Sequence, residues 1–367
     1  MNVVENHPFL YSKKMKVLVL YTRLTGYWMA CMRQSHQEYG FEFFVLRKRS
    51  SPDAPFCLED EAGIRLMDSE DFDEVKLLKL AEEIQPVAIY VAGWGDKRYL
   101  QVAKWGLKNA VPVICGMDNQ WLGTAKQQLA SLLAPVYLKK HFSHIWIPGA
   151  LQLPFAQRLG FGNDQILKGL YCADLEAFRP AEVTGAVPKR FVFTGRLVEH
   201  KGLDVLLEAL DRLGDGLKDW EFVVIGNGPY AERVKANSRI THYEFMSPEE
   251  LCVFMREGGV FVLPSHYEAW GVVVHEAMAV GMPVISTYQC GAADELVVDG
   301  YNGFKVNSGD VDVLVEALSK FVVMDSETLQ DFSDRSLELS RQVTLESWSA
   351  SLSRVAKKVR EKSEVSV

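Results

Sequence analysis

Short apolar runs separated by stretches of helical periodicity organise this chain. Candidate strands are Val17–Tyr21, Phe41–Leu46, Val87–Val91, Val111–Cys115 and His144–Ile147, then Phe191–Phe193, Glu221–Ile225, Val260–Leu263 and Val284–Ser286. The runs are continuous in β-branched and aromatic residues rather than alternating, as expected of strands covered on both faces in a parallel sheet. Between them, Leu203–Leu213, Glu249–Arg256 and His275–Val280 carry helical spacing. The expected class is α/β, with two Rossmann-like, doubly wound domains facing across a cleft.

The pattern breaks between Arg179 and Lys189, where Pro180, Gly185 and Pro188 sit among small residues, and the linker is placed there. At 367 residues the chain exceeds one ordinary core. The expected division is an N-terminal domain over residues 1–178 and a C-terminal domain over 179–344. A terminal helix over 345–367 would return to the first domain. In that helix Leu345, Trp348, Leu352, Val355 and Val359 recur at helical spacing, while Lys357, Lys358, Arg360 and Lys362 fall at other positions. Two readings stay open, a helix packed on the body with a solvated basic face or one lying on an anionic membrane surface.

Composition narrows the function classes. Hydrophobic residues make up 48% and charged residues 24%, the balance of a folded soluble chain. A net charge of -8 argues against a generally basic face for nucleic acid. No apolar run approaches the roughly 20 residues needed to span a bilayer, and Met1–Lys16 lacks the layout of a signal peptide. The six cysteines are scattered, with no Cys-x-x-Cys pair, and several lie inside apolar runs. Reduced core thiols and no structural zinc are expected, hence a cytoplasmic protein or one peripheral to the inner face of the membrane.

Two stretches carry candidate chemistry, and both follow strands. After Phe191–Phe193 comes Thr194-Gly195-Arg196-Leu197-Val198-Glu199-His200-Lys201-Gly202, then a helix. Gly195 permits close backbone approach, and Arg196 and Lys201 add two cations suited to a diphosphate. The same features describe a turn with exposed charges. After Val260–Leu263 comes Pro264-Ser265-His266-Tyr267-Glu268-Ala269-Trp270-Gly271-Val272-Val273-Val274-His275-Glu276. Glu268 falls in the loop and Glu276 on the helix entered near Gly271. Two carboxylates converging on a helix start could accept hydrogen bonds from sugar and ribose hydroxyls, and the N–H groups around Gly271–Val273 would face an anion. A solvated loop glutamate and a helix-stabilising glutamate would show the same spacing.

From Phe193 to Phe304 the chain resembles retaining, family-4 glycosyltransferases of the glycosyltransferase-B fold. The resemblance rests on Gly195-Arg196…Lys201-Gly202, Val224-Ile225-Gly226-Asn227-Gly228-Pro229 and Glu268-x7-Glu276. It continues through Glu276-Ala277-Met278-Ala279…Gly281-Met282-Pro283-Val284 and Gly291…Glu295-Leu296-Val297…Gly300-Tyr301-Asn302-Gly303-Phe304. It implies a catalytic group of Arg196, Lys201 and Glu268. The two cations would bind the donor diphosphate and stabilise the leaving nucleotide, and Glu268 would contact the transferred sugar. Glu276 would hold the ribose hydroxyls, with backbone contacts from Gly271, Val272 and Val273. Tyr243, Phe245 and Met246 would mark the strand end that flanks the base. Ala269 and Trp270 depart from the Gly or Ser and Phe of many relatives, a change placed at the sugar pocket. The implied activity is transfer of a sugar from a nucleoside-diphosphate sugar to a glycan or lipid-linked acceptor, in bacterial cell-surface polysaccharide or lipopolysaccharide assembly. No cofactor is implied. With fixed cations and a helix start meeting the leaving group, no metal is implied either, and an Asp-x-Asp pair, the mark of the metal-dependent alternative fold, is expected in neither half.

The N-terminal half is less legible. Family members place a double-glycine loop after the first strand, whereas Tyr21-Thr22-Arg23-Leu24-Thr25-Gly26-Tyr27-Trp28 holds one glycine. Gly26, Trp94 in the loop after Val87–Val91 and Asp118 after Val111–Cys115 are the acceptor-side candidates, and both later loops are expected to point into the cleft. A turn or capping role for Asp118 is the alternative. His141 and His144 read as structural. Two further functions stay open, a same-fold sugar-nucleotide epimerase or phosphorylase and a non-catalytic partner subunit that keeps a donor pocket.

Overall fold

The computed structural model describes residues 15–48, 58–180 and 185–364, with side chains of the last helix described as far as Lys357. The first sheet contains β1 (Met15–Leu20), β2 (Phe41–Arg47), β3 (Ile64–Asp68), β4 (Ala88–Ala92), β5 (Val113–Gly116), β6 (His144–Trp146) and β7 (Ile166–Leu167). The second contains β8 (Arg190–Thr194), β9 (Glu221–Ile225), β10 (Ile240–Tyr243), β11 (Val260–Leu263), β12 (Val284–Thr287) and β13 (Gly303–Val306). Their orders are β3-β2-β1-β4-β5-β6-β7 and β10-β9-β8-β11-β12-β13. Every pairing of named strands is parallel. The doubly wound α/β expectation therefore holds for both halves.

Two-sided burial explains the continuous apolar runs. In β1, Val17 and Val19 face a cluster with Trp28, Trp146 and Trp348, whereas Leu18 and Leu20 face another with Leu77, Ala103 and Ile145. A parallel strand with helices on both sides has no solvent face to mark with polar residues. Four strands escaped the sequence pattern. β3, β10 and β13 lie at or near sheet edges and are partly exposed, so their runs are interrupted by residues such as Arg65 and His242. β7 has only two residues, Ile166 and Leu167. The expected helix His275–Val280 begins one turn earlier and spans Val272–Ala279.

The last helix, Leu345–Glu364, docks on the first helix, Gly26–Tyr39. Leu345, Trp348, Leu352 and Val355 are buried in the N-terminal core. Trp348 meets Trp28 and Trp146 at ring separations of 5.2 and 4.7 Å, and its indole N–H donates to the Leu170 carbonyl at 3.1 Å. Ser35 and Ser349 share a buried hydrogen bond of 2.8 Å. This corrects one open reading, because an apolar face already used in the core cannot insert into a membrane. The Lys357 ammonium lies over the Tyr39 ring, 5.1 Å from its centroid. The side chains of Lys358, Val359, Arg360 and Lys362, and the segments 1–14 and 181–184, fall outside the described residues.

Candidate functional site

The loops after β8, β9 and β11 interlock at the carboxyl ends of the second sheet. Gly226 nests against the first of them, since a Cβ there would lie 2.0 Å from the Gly195 carbonyl oxygen. The Gly195 N–H donates to the Ile225 carbonyl at 3.1 Å, and the Leu197 N–H to that of Asn227 at 2.9 Å. On the opposite side Gly202 abuts the Pro264 carbonyl, and the His266 N–H donates to the His200 carbonyl at 2.9 Å. The His266 ring bridges Asp204 at 3.1 Å and Ser308 at 3.2 Å. The loop that carries the two expected cations is thus clamped from both sides. Beside Gly195 itself a Cβ would meet nothing within 4 Å, so open space adjoins the backbone there.

The clamp brings Lys201 onto Glu268. Their ammonium and carboxylate form an ion pair with side chains only 14% and 17% exposed. Burial, reinforced by the Lys201 charge, holds the neighbouring His200 below its ordinary pKa. Arg196 is exposed and has no ion pair or side-chain hydrogen bond among the described residues. The two cations therefore differ in state: Lys201 is neutralised within the protein, and Arg196 points its charge to solvent.

Glu268 is fixed through its backbone. Its N–H donates to the Gln289 carbonyl at 3.3 Å, and its own carbonyl accepts from Gly291 at 3.2 Å. Gly271 ends the loop at φ +85° and opens the helix Val272–Ala279. A Cβ on Gly271 would lie 2.9 Å from both the Glu268 Cγ and the Cys290 Sγ. A side chain there would be strained and would displace Glu268. The Val272 and Val273 N–H groups belong to the first turn and have no helical carbonyl to bind.

Glu276 lies one turn further along the same helix and is mostly buried. Burial, with a smaller push from the Asp174 carboxylate, raises its pKa from the ordinary 4.5 to about 7. Tyr27, at the start of the first helix, is raised to about 12, chiefly by burial, with the charges of Glu276 and Asp118 adding to the effect. Glu276 thus sits where the two halves meet. Its neighbour His275 is fully buried, and burial pushes its pKa down to about 4. The imidazole accepts from the Ala173 N–H at 3.1 Å, so its other nitrogen carries the proton donated to the Ser340 carbonyl at 2.8 Å.

Across the cleft, two glutamines that the sequence reading passed over join the halves. The Gln120 amide donates to the Glu268 carbonyl at 3.1 Å and to that of Gln289 at 3.0 Å. The Gln152 amide, with its side chain fully buried, donates to the Ala269 carbonyl at 2.6 Å and to that of Asp118 at 3.2 Å. The Ala150 N–H adds a bond to the Glu295 carboxylate. Gln152 had a faint signal, a polar residue inside the apolar run Ala150–Phe155, since a buried amide needs partners. Gln120 had none. Trp270 is buried beside Gly149 and Gly291, and its indole N–H has no partner among the described residues.

The remaining candidates are placed unevenly. Asp118 accepts a hydrogen bond from the Tyr171 hydroxyl at 3.1 Å, close to Tyr21, Tyr27 and Tyr90, whose pKa values burial raises first and the Asp118 charge raises further. Beside Gly26, in the first turn of its helix, a Cβ would meet nothing within 4 Å. Trp94 packs half-buried on the apolar cluster that holds Cys115 and Met117. In the same loop Asp96 caps a helix and holds Arg98 at 2.7 Å. Tyr243, Phe245 and Met246 line an open groove of about 640 Å³ with Val253 and Phe254, rimmed by Glu244, Glu249, Glu250 and Glu257. The expectation of no Asp-x-Asp pair in either half is corrected: the chain holds Asp71-Phe72-Asp73 and Asp310-Val311-Asp312, and in each run one aspartate caps a helix, Asp73 accepting from the Lys76 N–H at 2.8 Å and Asp310 from the Val313 N–H at 3.1 Å. His141 and His144 bond locally, to the Tyr137 carbonyl and the Ser143 hydroxyl, in keeping with structural roles.

With this geometry in place, comparison with known proteins defines the fold. Residues 176–338 match the family model described as glycosyl transferases group 1. A putative colanic acid biosynthesis glycosyltransferase, WcaL of Escherichia coli, is 29% identical over 220 residues, covering 54% of this chain and 53% of the relative. The chain spans about half the length of the curated relatives it matches. Among solved structures, sucrose-phosphate synthase from Thermosynechococcus elongatus superposes with a TM-score of 0.71 at 16% identity, over 95% of this chain and 100% of that one. HepE of Anabaena, in complex with UDP and glucose, gives 0.69 at 14% identity over 94% and 100%. The fold is therefore the glycosyltransferase-B type, two parallel-sheet Rossmann-like halves.

Proposed function

We propose that this protein is a retaining glycosyltransferase that moves a sugar from a nucleoside-diphosphate sugar to an acceptor held by the N-terminal half. The observation that carries the reading is the interlocked loop set in the half that matches the group 1 model, which sets Lys201 on Glu268 beside the Gly271 helix start, with Glu276 one turn along that helix. Open α/β sheets bind ligands at that edge.

In this reading the donor diphosphate lies beside Gly195, against Arg196, Lys201 and the first-turn N–H groups. Breaking the sugar–phosphate bond moves negative charge onto the diphosphate, and cations already in position stabilise it without reorganising. Lys201 exchanges part of its pairing with Glu268 for the diphosphate, which frees that carboxylate for the transferred sugar. Glu276 accepts from the ribose hydroxyls, and the groove at Tyr243, Phe245 and Met246 flanks the base. The donor half is assigned to residues 179–344 and the acceptor half to 1–178 with the terminal helix. Asp118 and Gly26 stand on the acceptor side. Cell-surface polysaccharide or lipopolysaccharide assembly at the cytoplasmic face of the membrane is the proposed setting, by analogy with relatives such as the putative colanic acid enzyme.

Titration calorimetry with UDP- and GDP-sugars tests the donor assignment. Binding of one class, lost in Glu276→Ala, supports it, and absence of binding to any nucleotide sugar sinks it. The anomeric configuration of the product, read by NMR, decides the retaining mechanism.

A further inference from the structure

The helix Ala125–Leu138, between β5 and β6, presents its more apolar face to solvent. Leu129, Leu132, Leu133 and Val136 are 60%, 76%, 65% and 68% exposed, while the buried side offers little beyond Ala134 and Leu138. Leu122, just before the helix, is 60% exposed, and Tyr137 is 47% exposed. These six fall within residues 122–137, and the other large exposed apolar residues among those described are scattered apart from Tyr243, Phe245 and Val253, which line the groove rimmed by glutamates. Scattered ones need no explanation, whereas a clustered set marks an interaction surface.

The helix is firmly rooted, so its exposure is not that of a loose end. Gly160 packs against Pro135, Trp121 meets Phe155 at 5.6 Å, and the Gln127 amide donates to the Gln120 carbonyl at 2.7 Å. Charge then selects the occupant. From Asn119 to Asn163 the chain carries Lys126, Lys139, Lys140 and Arg158 and no aspartate or glutamate, within a chain of net charge -8. Lys126, Leu129, Leu133, Val136 and Lys140 follow one another at steps of three and four residues, so an apolar stripe ends in a lysine at each side. A second copy laid on the same stripe would set lysines against lysines, with no carboxylate in either segment to meet them. No helix among the described residues is long and apolar enough to cross a membrane, so this one would lie along a surface.

We propose that the helix Ala125–Leu138 docks the protein on an anionic lipid bilayer, with Leu129, Leu132, Leu133 and Val136 entering the headgroup boundary and Lys126, Lys139 and Lys140 meeting lipid phosphates. The helix follows Asp118 and Gln120 by a few residues in the sequence. The surface does not depend on the identity of the reaction.

The test is co-sedimentation of the full chain with vesicles of phosphatidylcholine alone or with about one-third phosphatidylglycerol, at about 0.1 M salt. The expected result is binding to the anionic vesicles only, weakened by added salt. Replacing Lys126, Lys139 and Lys140 together by Glu lowers the binding constant on the order of 100-fold or more. Leu132→Ser with Leu133→Ser lowers it roughly 10-fold or more. All five positions are exposed, and unchanged melting curves establish that the variants are folded. Failure of the parent chain to bind anionic vesicles overturns the proposal. So does unaltered binding by both variants, which would move the contact to another surface. A dimer seen by light scattering in the parent and lost in the leucine variant would make a second copy the occupant, and the proposal would fall.

Discussion

Glu276→Gln separates the ionisation of this carboxyl from its shape. Glutamine matches the protonated acid in size and is neutral at every pH. The native carboxyl holds its proton up to about pH 7 because burial, aided by Asp174, disfavours its charge. In the unfolded chain it ionises near its ordinary 4.5. Between these values the unfolded state binds fewer protons, so stability falls as pH rises, and the loss is complete above about pH 7. At 1.36 kcal/mol per pK unit the full difference is roughly 3 kcal/mol, most of which appears between about pH 5 and pH 8. His275 runs the other way: its depressed pKa costs stability as pH falls through the unfolded value of about 6.5 toward about 4. A wild-type profile alone mixes the two effects, and the difference between wild type and Glu276→Gln isolates the carboxyl. By differential scanning fluorimetry the variant should gain on wild type as pH rises from 5 to 8. The relative gain is about 3 °C if the chain melts as one unit and about 7 °C if the C-terminal half melts alone. Parallel profiles over that range would show that Glu276 is solvated and ionised in the native protein, and the burial argument would be wrong.

Three further substitutions probe the clamp and the core. Lys201→Met leaves Glu268 without its partner in a site only 17% exposed, and is expected to cost about 3 kcal/mol of stability and roughly 100- to 1,000-fold in transfer rate, read by chemical denaturation and single-turnover kinetics. Gly271→Ala forces a side chain into φ +85° against Glu268 and Cys290, with an expected cost of about 1–3 kcal/mol and a fall in kcat larger than any rise in donor KM. Wild-type kinetics in that variant would remove Gly271 from the placement of Glu268. Trp348→Ala deletes the indole that joins the last helix to Trp28, Trp146 and the Leu170 carbonyl, and should cost about 3–5 kcal/mol by denaturant titration. A loss below about 1 kcal/mol would mean that the helix docks without it.

Legibility in the sequence followed burial. Central parallel strands such as β9 and β11 are covered on both faces, so their continuous apolar runs mark them to the residue, whereas edge strands β3 and β10 mix Arg65 or His242 into partly exposed runs and disappear. The candidate site was readable because Gly195, Lys201, Glu268, Gly271 and Glu276 sit within two short post-strand stretches. What joins those stretches was not readable. Gln120 reaches Glu268 across 148 residues, and His275 reaches Ala173 across 102. Such pairings exist only once two domains have packed. The exposed stripe on Ala125–Leu138 misleads a pattern reading for a related reason: helical spacing of leucines reports a face to be covered, without saying whether protein covers it.

The charge states of Lys201, Glu268, Glu276 and Arg196 have a consequence for the proposed reaction. In the structure Lys201 is neutralised by Glu268, Glu276 is half protonated near pH 7, and Arg196 alone presents unpaired charge among the site's candidate cations. A diphosphate entering this site finds little standing repulsion, because one carboxylate is paired and the other is largely discharged at or below neutrality. Once bound, it draws on Lys201, and ribose hydroxyls donating to Glu276 favour the carboxylate over the acid. Donor binding should therefore release protons, with affinity rising as pH increases through about 7 in wild type and staying flat in Glu276→Gln. Calorimetry of UDP binding in buffers of different ionisation enthalpy measures that release directly. Zero proton release at pH 7 would detach Glu276 from the ribose even if the donor binds in the cleft.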